Sequence, residues 1–161
     1  MTNVTLNSNA LVSNTYTPTN SLSSIFGSQV SKYVIGNDVT SIGNNAFYGC
    51  TKLTSVNIPP SVTTIGNDAF YDCSELMKVI VPDIAKWCDV SFGNDFSNPL
   101  YYAKHIYSDE NTEVTEIAIP KSVTGISNIA FINCYGINSI IVEDGNAVYD
   151  SRDNCNAIIE T

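Results

Sequence analysis

The stretch "SIGNNAFYGCTKLTSVNIP" at residues 41–59 is written again at residues 64–82 as "TIGNDAFYDCSELMKVIVP", with ten of nineteen positions identical. Such a period, in the range of about 20–29 residues, marks a solenoid, because one such unit cannot bury its own apolar face and each copy becomes the core of the next. Val39 is equivalent to Val62, Ile42 to Ile65, Gly43 to Gly66, Ala46 to Ala69, Phe47 to Phe70, Cys50 to Cys73, Leu53 to Leu76, Val56 to Val79 and Pro59 to Pro82. The frame runs back to Val30, Tyr33 and Ile35. It runs forward to Val123, Ile126, Ala130, Phe131, Cys134, Ile137, Ile140 and Val142, with Pro120 in the place of Pro59. The step from Pro82 to Pro120 is longer than the step from Pro59 to Pro82, so one unit carries an insertion and closes with Val114, Ile117 and Ile119, which makes five strand slots.

Within a unit, "LTSVNIP" alternates apolar and polar, which predicts a short strand with Leu53, Val56 and Ile58 inward and Ser55 and Asn57 outward. The proline ends the strand. The "SVTTIG" that follows returns a Val and an Ile to the core, and Gly66 is expected to take a turn conformation closed to other residues. "NDAFYDC" then predicts a helical or 3₁₀ turn, capped by Asn67 or Asp68, that plugs Ala69, Phe70 and Cys73 between layers. The fold class expected is therefore an α/β repeat solenoid with a parallel strand ladder, short helical or 3₁₀ turns and hairpin-like ends.

These residues resemble a known family. "SVTTIGNDAFYDCSELMKVIVP" is similar to the leucine-rich repeat of BspA-like proteins, which has the same period, and the match from Val30 to Val142 covers most of the chain. "SFGNDFSNPLYYAKHIY" at 91–107 and "VYDSRDNCNAIIET" at 148–161 also look like stretches of such proteins. The resemblance implies an extracellular or bacterial cell-surface location. It also implies adhesion-type recognition of protein or glycan partners without catalysis. The chain reads as a fragment or a short member, since it stops before another strand slot.

Three segments follow from the frame. Residues 1–29 read as an N-terminal hairpin cap, with two short strands joined around Asn7 to Asn9, and a loop leading into the first repeat. Residues 30–142 hold the repeats, with the insertion at 83–113. Residues 143–161 read as a C-terminal hairpin with Asp153 and Asn154 at its turn. In the insertion, "PDIAKWCDV" predicts a helix with Pro82 and Asp83 at its start and Ile84, Trp87 and Cys88 on one side. Leu100, Tyr101, Tyr102 and Tyr107 follow. These rings either anchor a partner or pack the helix onto the adjacent repeat, and packing is the commoner use.

Composition removes several function classes. Net charge is −9, and no two of the seven Lys and Arg residues are adjacent, so there is no electrostatic footprint for nucleic acid. No apolar run is long enough to span a membrane, and residues 1–10 lack the basic start and apolar stretch of a signal peptide. Asn, Ser and Thr number 51 against 14% charged residues, a balance that suits turns and strand surfaces. Cys50, Cys73 and Cys134 share one inward repeat position and read as small hydrophobes with free thiols, although adjacent layers bring Cys50 and Cys73 within reach of a bond. Cys88 and Cys155 lie outside the ladder, either paired or free. No C-x-x-C cluster points to a metal. "EDGNAVYDSRDN" imitates a calcium loop, but Val148 falls where an oxygen ligand belongs. His105 is the sole histidine, and nothing places Cys88 or a serine within its reach, so it reads as structural. Glu113 and Glu116, three apart on a strand, point to opposite faces and do not make a glycosidase pair. Phosphate-binding glycine loops are absent from the sequence, and neither cofactor nor metal is expected.

What is left is a surface. The outward strand positions are Lys32, Val34, Ser55, Asn57, Lys78, Ile80, Glu116, Ala118, Ser139 and Ile141, and the apolar members among them suggest an interface. The expected partner lies across Lys78, Ile80 and Glu116, with Asn57 and Ile141 on the same face and Trp87, Tyr101 and Tyr102 at the flank. The alternative is a structural spacer or a self-assembling unit, a homo-oligomer formed through exposed strand edges.

Overall fold

A computed structural model of the chain describes residues 2–151 and the backbone of a strand at 159–160. In chain order the elements are β1 (Thr2–Leu6), α1 (Asn9–Val12), α2 (Leu22–Phe26), β2 (Val30–Ile35), β3 (Ser41–Ile42), β4 (Ser55–Asn57), β5 (Thr64–Ile65) and β6 (Lys78–Ile80). The insertion supplies α3 (Ile84–Cys88), β7 (Ser91–Phe92), a 3₁₀ turn (Asp95–Ser97), α4 (Leu100–Ala103) and β8 (Ile106–Tyr107). After it come β9 (Glu116–Ile119), β10 (Ser139–Val142), β11 (Tyr149–Asp150) and β12 (Ile159–Glu160).

The repeat builds two parallel ladders. One sheet runs β1-β2-β4-β6-β8 and the other β3-β5-β7. Their register follows the sequence repeat, with Tyr33 opposite Val56, Val56 opposite Val79 and Ile42 opposite Ile65. At the corner after the strand, the carbonyl of Pro59 accepts from Val62 N at 3.0 Å, and Pro120 and Val123 repeat the bond at 3.0 Å. Successive i to i+3 turns then carry residues 66–76 back to the next strand. These turns are also tied between layers, since Phe47 N donates to Ala69 O at 2.8 Å and Phe70 N to Phe96 O at 3.0 Å. Ala46, Phe47, Cys50, Ala69, Phe70 and Cys73 are buried as the repeat requires.

Glycine and asparagine positions in the turns have separate causes. Gly49, Asp72 and Asn133, the residues just before Cys50, Cys73 and Cys134, all have positive φ, of 67°, 58° and 54°. Gly, Asp and Asn are the residues that tolerate the left-handed region. Gly66 does not enter it: its φ is not positive, contrary to the sequence expectation. A Cβ there would run into the preceding layer at Asn44, whose N lies 2.6 Å away, while the Asn44 Oδ1 accepts from Asn67 N at 2.8 Å. Glycine is needed for the close approach that lets one layer's asparagine cap the next.

The two ends and the insertion depart from the sequence reading. No hairpin forms at the N-terminus: β1 pairs parallel with β2, and residues 9–12 are helical, with the Ser8 Oγ accepting from Leu11 N. Asn7 to Asn9 lead into a capped helix instead of a reversal, so residues 2–29 form another coil that buries Leu6, Val12 and Leu22. At the other end β11 pairs antiparallel with β12, as expected of a hairpin, while its turn at Asp153 and Asn154, and Cys155, lie outside the described residues. The insertion is not a loop on a long unit. It forms a coil of its own, in which β7 pairs with β5 and β8 with β6, placing Ile106 opposite Val79 as the next rung of the ladder.

The ladder then breaks. After β8 the chain doubles back, with Tyr107 bridged antiparallel to Glu113 and Val114 N donating to Ile106 O at 2.9 Å. β9 and β10 form a separate two-stranded parallel sheet over a second core of Cys88, Ile117, Ile119, Val123 and Val142. Among the described residues the five expected strand slots are thus seven, five in one sheet and two in another.

Candidate recognition site

Alternation along β2, β4 and β6 sends Tyr33, Val56 and Val79 into the core and Lys32, Ser55 and Lys78 outward. Register places Asn3, Lys32, Ser55 and Lys78 side by side on four successive strands. Two cations therefore bracket one serine. Above them sits the acidic turn at 108–112, which leaves β8 and folds back toward the sheet. Asp109 shapes this turn: its Oδ1 accepts from Asn111 N at 2.8 Å and Thr112 N at 3.0 Å, and those bonds hold its carboxyl below the usual carboxylate range. Glu110 is thereby directed at both lysines. Its carboxylate pairs with Lys32 Nζ, and its backbone carbonyl accepts from Lys78 Nζ at 2.5 Å. Lys78 also lies over the Tyr107 ring, 4.5 Å from its centroid. Ser31, Thr54, Met77 and these residues line a cleft of about 550 Å³, and the Ser31 and Ser55 hydroxyls are buried with no hydrogen-bond partner among the described residues.

Other residues expected in the site lie elsewhere. Asn57 is taken up by the ladder: its Oδ1 accepts from Ile35 N at 2.6 Å and its Nδ2 donates to Ile35 O at 2.9 Å, completing the end of β2. Ile80 is only 6% exposed, not the open apolar residue its outward position suggested. Glu116, Ala118 and Ile141 are exposed, but on the second sheet, with β8 and the doubling back of the chain between them and Lys78. The face drawn through Lys78, Ile80 and Glu116 is therefore not one sheet: Lys78 and Glu116 lie on two, and Ile80 is covered. Sequence periodicity missed this because the break lies in backbone pairing after β8, not in the apolar frame.

The aromatic flank is mostly packing. Trp87 is buried, with its Nε1 donating to Ala130 O at 2.8 Å and its ring edge-on to Phe92 at 5.2 Å. It joins the insertion to the repeat that follows. Tyr101 and Tyr102 end a ladder of rings along the turns, Tyr48–Tyr71–Phe96–Tyr101–Tyr102, with centroids 4.8–5.2 Å apart. The Tyr102 hydroxyl accepts from Asp72 N at 3.0 Å. Both tyrosines are half-buried. Sequence reasoning missed Glu110, Ser55 as a cleft residue and the role of Tyr107. The signal available was the acidic "SDENTE" beside two outward lysines in register.

Groups with reactive chemistry are held in structural states. His105 Nδ1 pairs with Glu113 Oε1 at 2.6 Å, and Gly136 packs against that pair so closely that a Cβ would lie 3.0 Å from the histidine nitrogen. Cys50, Cys73, Cys88 and Cys134 are free thiols. Burial pushes Cys50 and Cys88 up to about 12 and Cys134 to about 11, and Cys73 well above the ordinary value. They are protonated and weakly nucleophilic at neutral pH. Asn146, in the acidic stretch resembling a calcium loop, spends its amide on Pro120 O, Val123 O, Val148 N and Tyr149 N. Among the described residues no group of three metal-ligating side chains occurs, and no helix is long and apolar enough to cross a membrane.

Parallel ladders, a turn in every coil and an outward polar strand face define a leucine-rich-repeat solenoid. The model of the BspA type leucine-rich repeat region matches in six copies over residues 3–98 and 103–155, and the chain belongs to that family. Its coils are similar to those of a leucine-rich repeat protein from Eubacterium ventriosum, with a TM-score of 0.56 and 22% identity over 99% of this chain and 42% of that one. Also similar are a leucine-rich repeat protein from Bacteroides ovatus (TM-score 0.40, 29% identity, 71% of this chain and 25% of that one) and a leucine rich cell surface protein from Faecalibacterium prausnitzii (TM-score 0.42, 22% identity, 99% and 51%). The chain thus spans at most about half the length of these structures. None of the curated proteins compared with it matches.

Proposed function

We propose that this chain is a non-catalytic recognition module of a bacterial surface or secreted protein, and that it binds a protein or glycan partner through the outward face of its five-stranded sheet. The observation that carries this reading is the row Lys32, Ser55, Lys78 over one cleft, in a molecule whose other polar repeat positions largely satisfy one another. Asparagines of the turns cap neighbouring layers, Asn57 completes β2 and Asn146 ties a corner. The lysine row points outward. The raised thiols and the His105–Glu113 pair support a binding role over nucleophilic chemistry. The family and the outward strand face support a surface or secreted setting for the parent protein.

The test is an array of purified matrix proteins and glycans probed with the parent chain and with Ser55→Trp, which fills the cleft from its floor, alongside Lys78→Glu combined with Glu116→Lys. Partners bound by the parent and lost by Ser55→Trp support the reading. Partners bound equally well by both variants sink it.

A second reading rests on β1, the terminal strand of the five-stranded sheet among the described residues. Its outer edge, unpaired among the described residues, is what a further strand would pair with, from this chain type or another. A mass by light scattering that rises across micromolar concentrations supports assembly through that edge, and a constant monomer mass removes it.

A further inference from the structure

We infer that the Lys32–Ser55–Lys78 row is a binding site for an acidic residue of a protein partner, and that Glu110 holds this site in the free chain. The inference rests on the recognition reading above and names its ligand class. In a chain of net charge −9, two of the seven cationic side chains meet over one cleft, and strand register rather than chance of loop position puts them there. Glu110 shows what the pair takes. Lys32 receives its side-chain carboxylate while Lys78 receives its main-chain carbonyl, so the two lysines read one acidic amino-acid residue at two points. A sugar acid offers the carboxylate without the peptide carbonyl. The Tyr107 ring beneath Lys78 steadies the ammonium. The Ser55 hydroxyl lies buried between the lysines, without a partner among the described residues.

The internal occupant is replaceable. Glu110 is 55% exposed and Lys32 25%, and an ion pair open to water to that extent holds weakly. Glu110 sits on a turn shaped by its own Asp109 and by Ser108 N bonded to Thr112 O at 3.0 Å, so it leaves the cleft without disturbing the ladder. An acidic segment of higher local concentration then takes its place. That exchange draws on the fraction of molecules with the cleft open, which lowers the apparent affinity of the free chain.

The experiment titrates labelled hexaglutamate, hexaglutamine and an oligoglucuronate, by fluorescence anisotropy, into the parent, Glu110→Gln and Lys32→Met/Lys78→Met. Glu110→Gln is expected to bind hexaglutamate about fivefold tighter than the parent, as removal of an exposed pair allows. The double lysine variant is expected to lose it, and hexaglutamine not to bind. Equal affinity of Glu110→Gln and parent overturns the inference. So does binding retained without the lysines, or oligoglucuronate binding as tightly as the peptide. If the double variant loses its far-UV circular dichroism, carbodiimide coupling of the parent decides: a Lys32–Glu110 isopeptide suppressed by hexaglutamate supports exchange, and one unaffected by saturating peptide refutes it. Absence of hexaglutamate binding in every chain, with array partners still lost by Ser55→Trp, sinks this inference alone. Array partners indifferent to Ser55→Trp sink the recognition reading beneath it.

Discussion

The rings of Phe47 and Phe70, which occupy the same position in successive repeats, stack with centroids 4.9 Å apart and planes within 10°. Tyr33 meets Phe47 edge-on at 5.0 Å, so an aromatic column runs through the coils where the sequence rewrites its phenylalanine. Both phenylalanines are fully buried. Phe70→Ala removes the ring from between two layers that cannot collapse onto each other without breaking their backbone bonds. The expected loss is about 3–5 kcal/mol in urea unfolding. An unchanged midpoint would contradict the column.

Gly66 and Gly125 predict opposite outcomes for one chemical change. An alanine at 66 collides with Asn44, including its backbone N at 2.6 Å, and should cost about 1–3 kcal/mol. At 125 nothing lies within 4 Å and φ is not positive, so alanine there should stay within about 0.5 kcal/mol of the parent. Paired thermal melts check this. Equal effects would mean that the asparagine cap between layers does not constrain residue 66.

Thiol protonation gives a pH dependence with a defined sign. Cys50 and Cys88 are raised from 9.0 to about 12 by burial, so folding favours their neutral form. That contribution is complete below pH about 9 and is lost as pH rises toward 12. The midpoint of urea unfolding should therefore fall steadily above pH about 9. Disulfide-exchange reagents should titrate Cys50, Cys73 and Cys88 slowly in the native chain and at once in denaturant; rapid native reaction at all three would contradict their burial.

Trp87 reports on the seam between the insertion and the following repeat. Because it is buried and donates to Ala130 O, its emission should be blue-shifted and poorly quenched by acrylamide. Trp87→Phe removes that hydrogen bond and part of the ring, with an expected cost of about 1–3 kcal/mol. Emission at the wavelength of free tryptophan would place the ring outside the core.

The acidic turn should respond at the other end of the pH scale. The carboxyl of Asp109 is held below its ordinary value by the amides of Asn111 and Thr112. The order it gives is present above the usual carboxylate range, near about pH 4, and is lost as pH falls through its lowered value. The amide resonances of Asn111 and Thr112 should move together in that window, and Asp109→Asn should weaken the transition. Resonances indifferent to acid would show that Asp109 does not shape the turn.

The candidate site was legible in part. Lys78 and the outward parity of Lys32 and Ser55 follow from alternation in "VSKYVI", "LTSVNIP" and "LMKVIVP". Glu110 does not, because a turn between strands has no periodicity and its direction depends on where β8 ends. Trp87 was open to both uses in the sequence, with packing the commoner, because aromatic density reads the same whether rings face a partner or a neighbouring coil. Asn57 and Ile80 share the outward parity of the lysines, yet one is bound to Ile35 and the other covered.

What the sequence by itself determined is the coil: its period, the strand, the proline corner, and the Ala, Phe and Cys that fill each layer. Those features are local, set by side-chain parity and backbone allowance within a single repeat, and they recur along the units from Val30 to Val142 but not in residues 2–29 or the insertion. Tertiary structure alone decided how copies join. That residues 2–29 form a coil rather than a hairpin, that the insertion enters the ladder as a coil, and that the ladder breaks after β8 all depend on which backbone edges are left open by the preceding layer. Hydrogen bonds between layers carry no trace in the apolar pattern, since any residue but proline offers the same N–H and C=O.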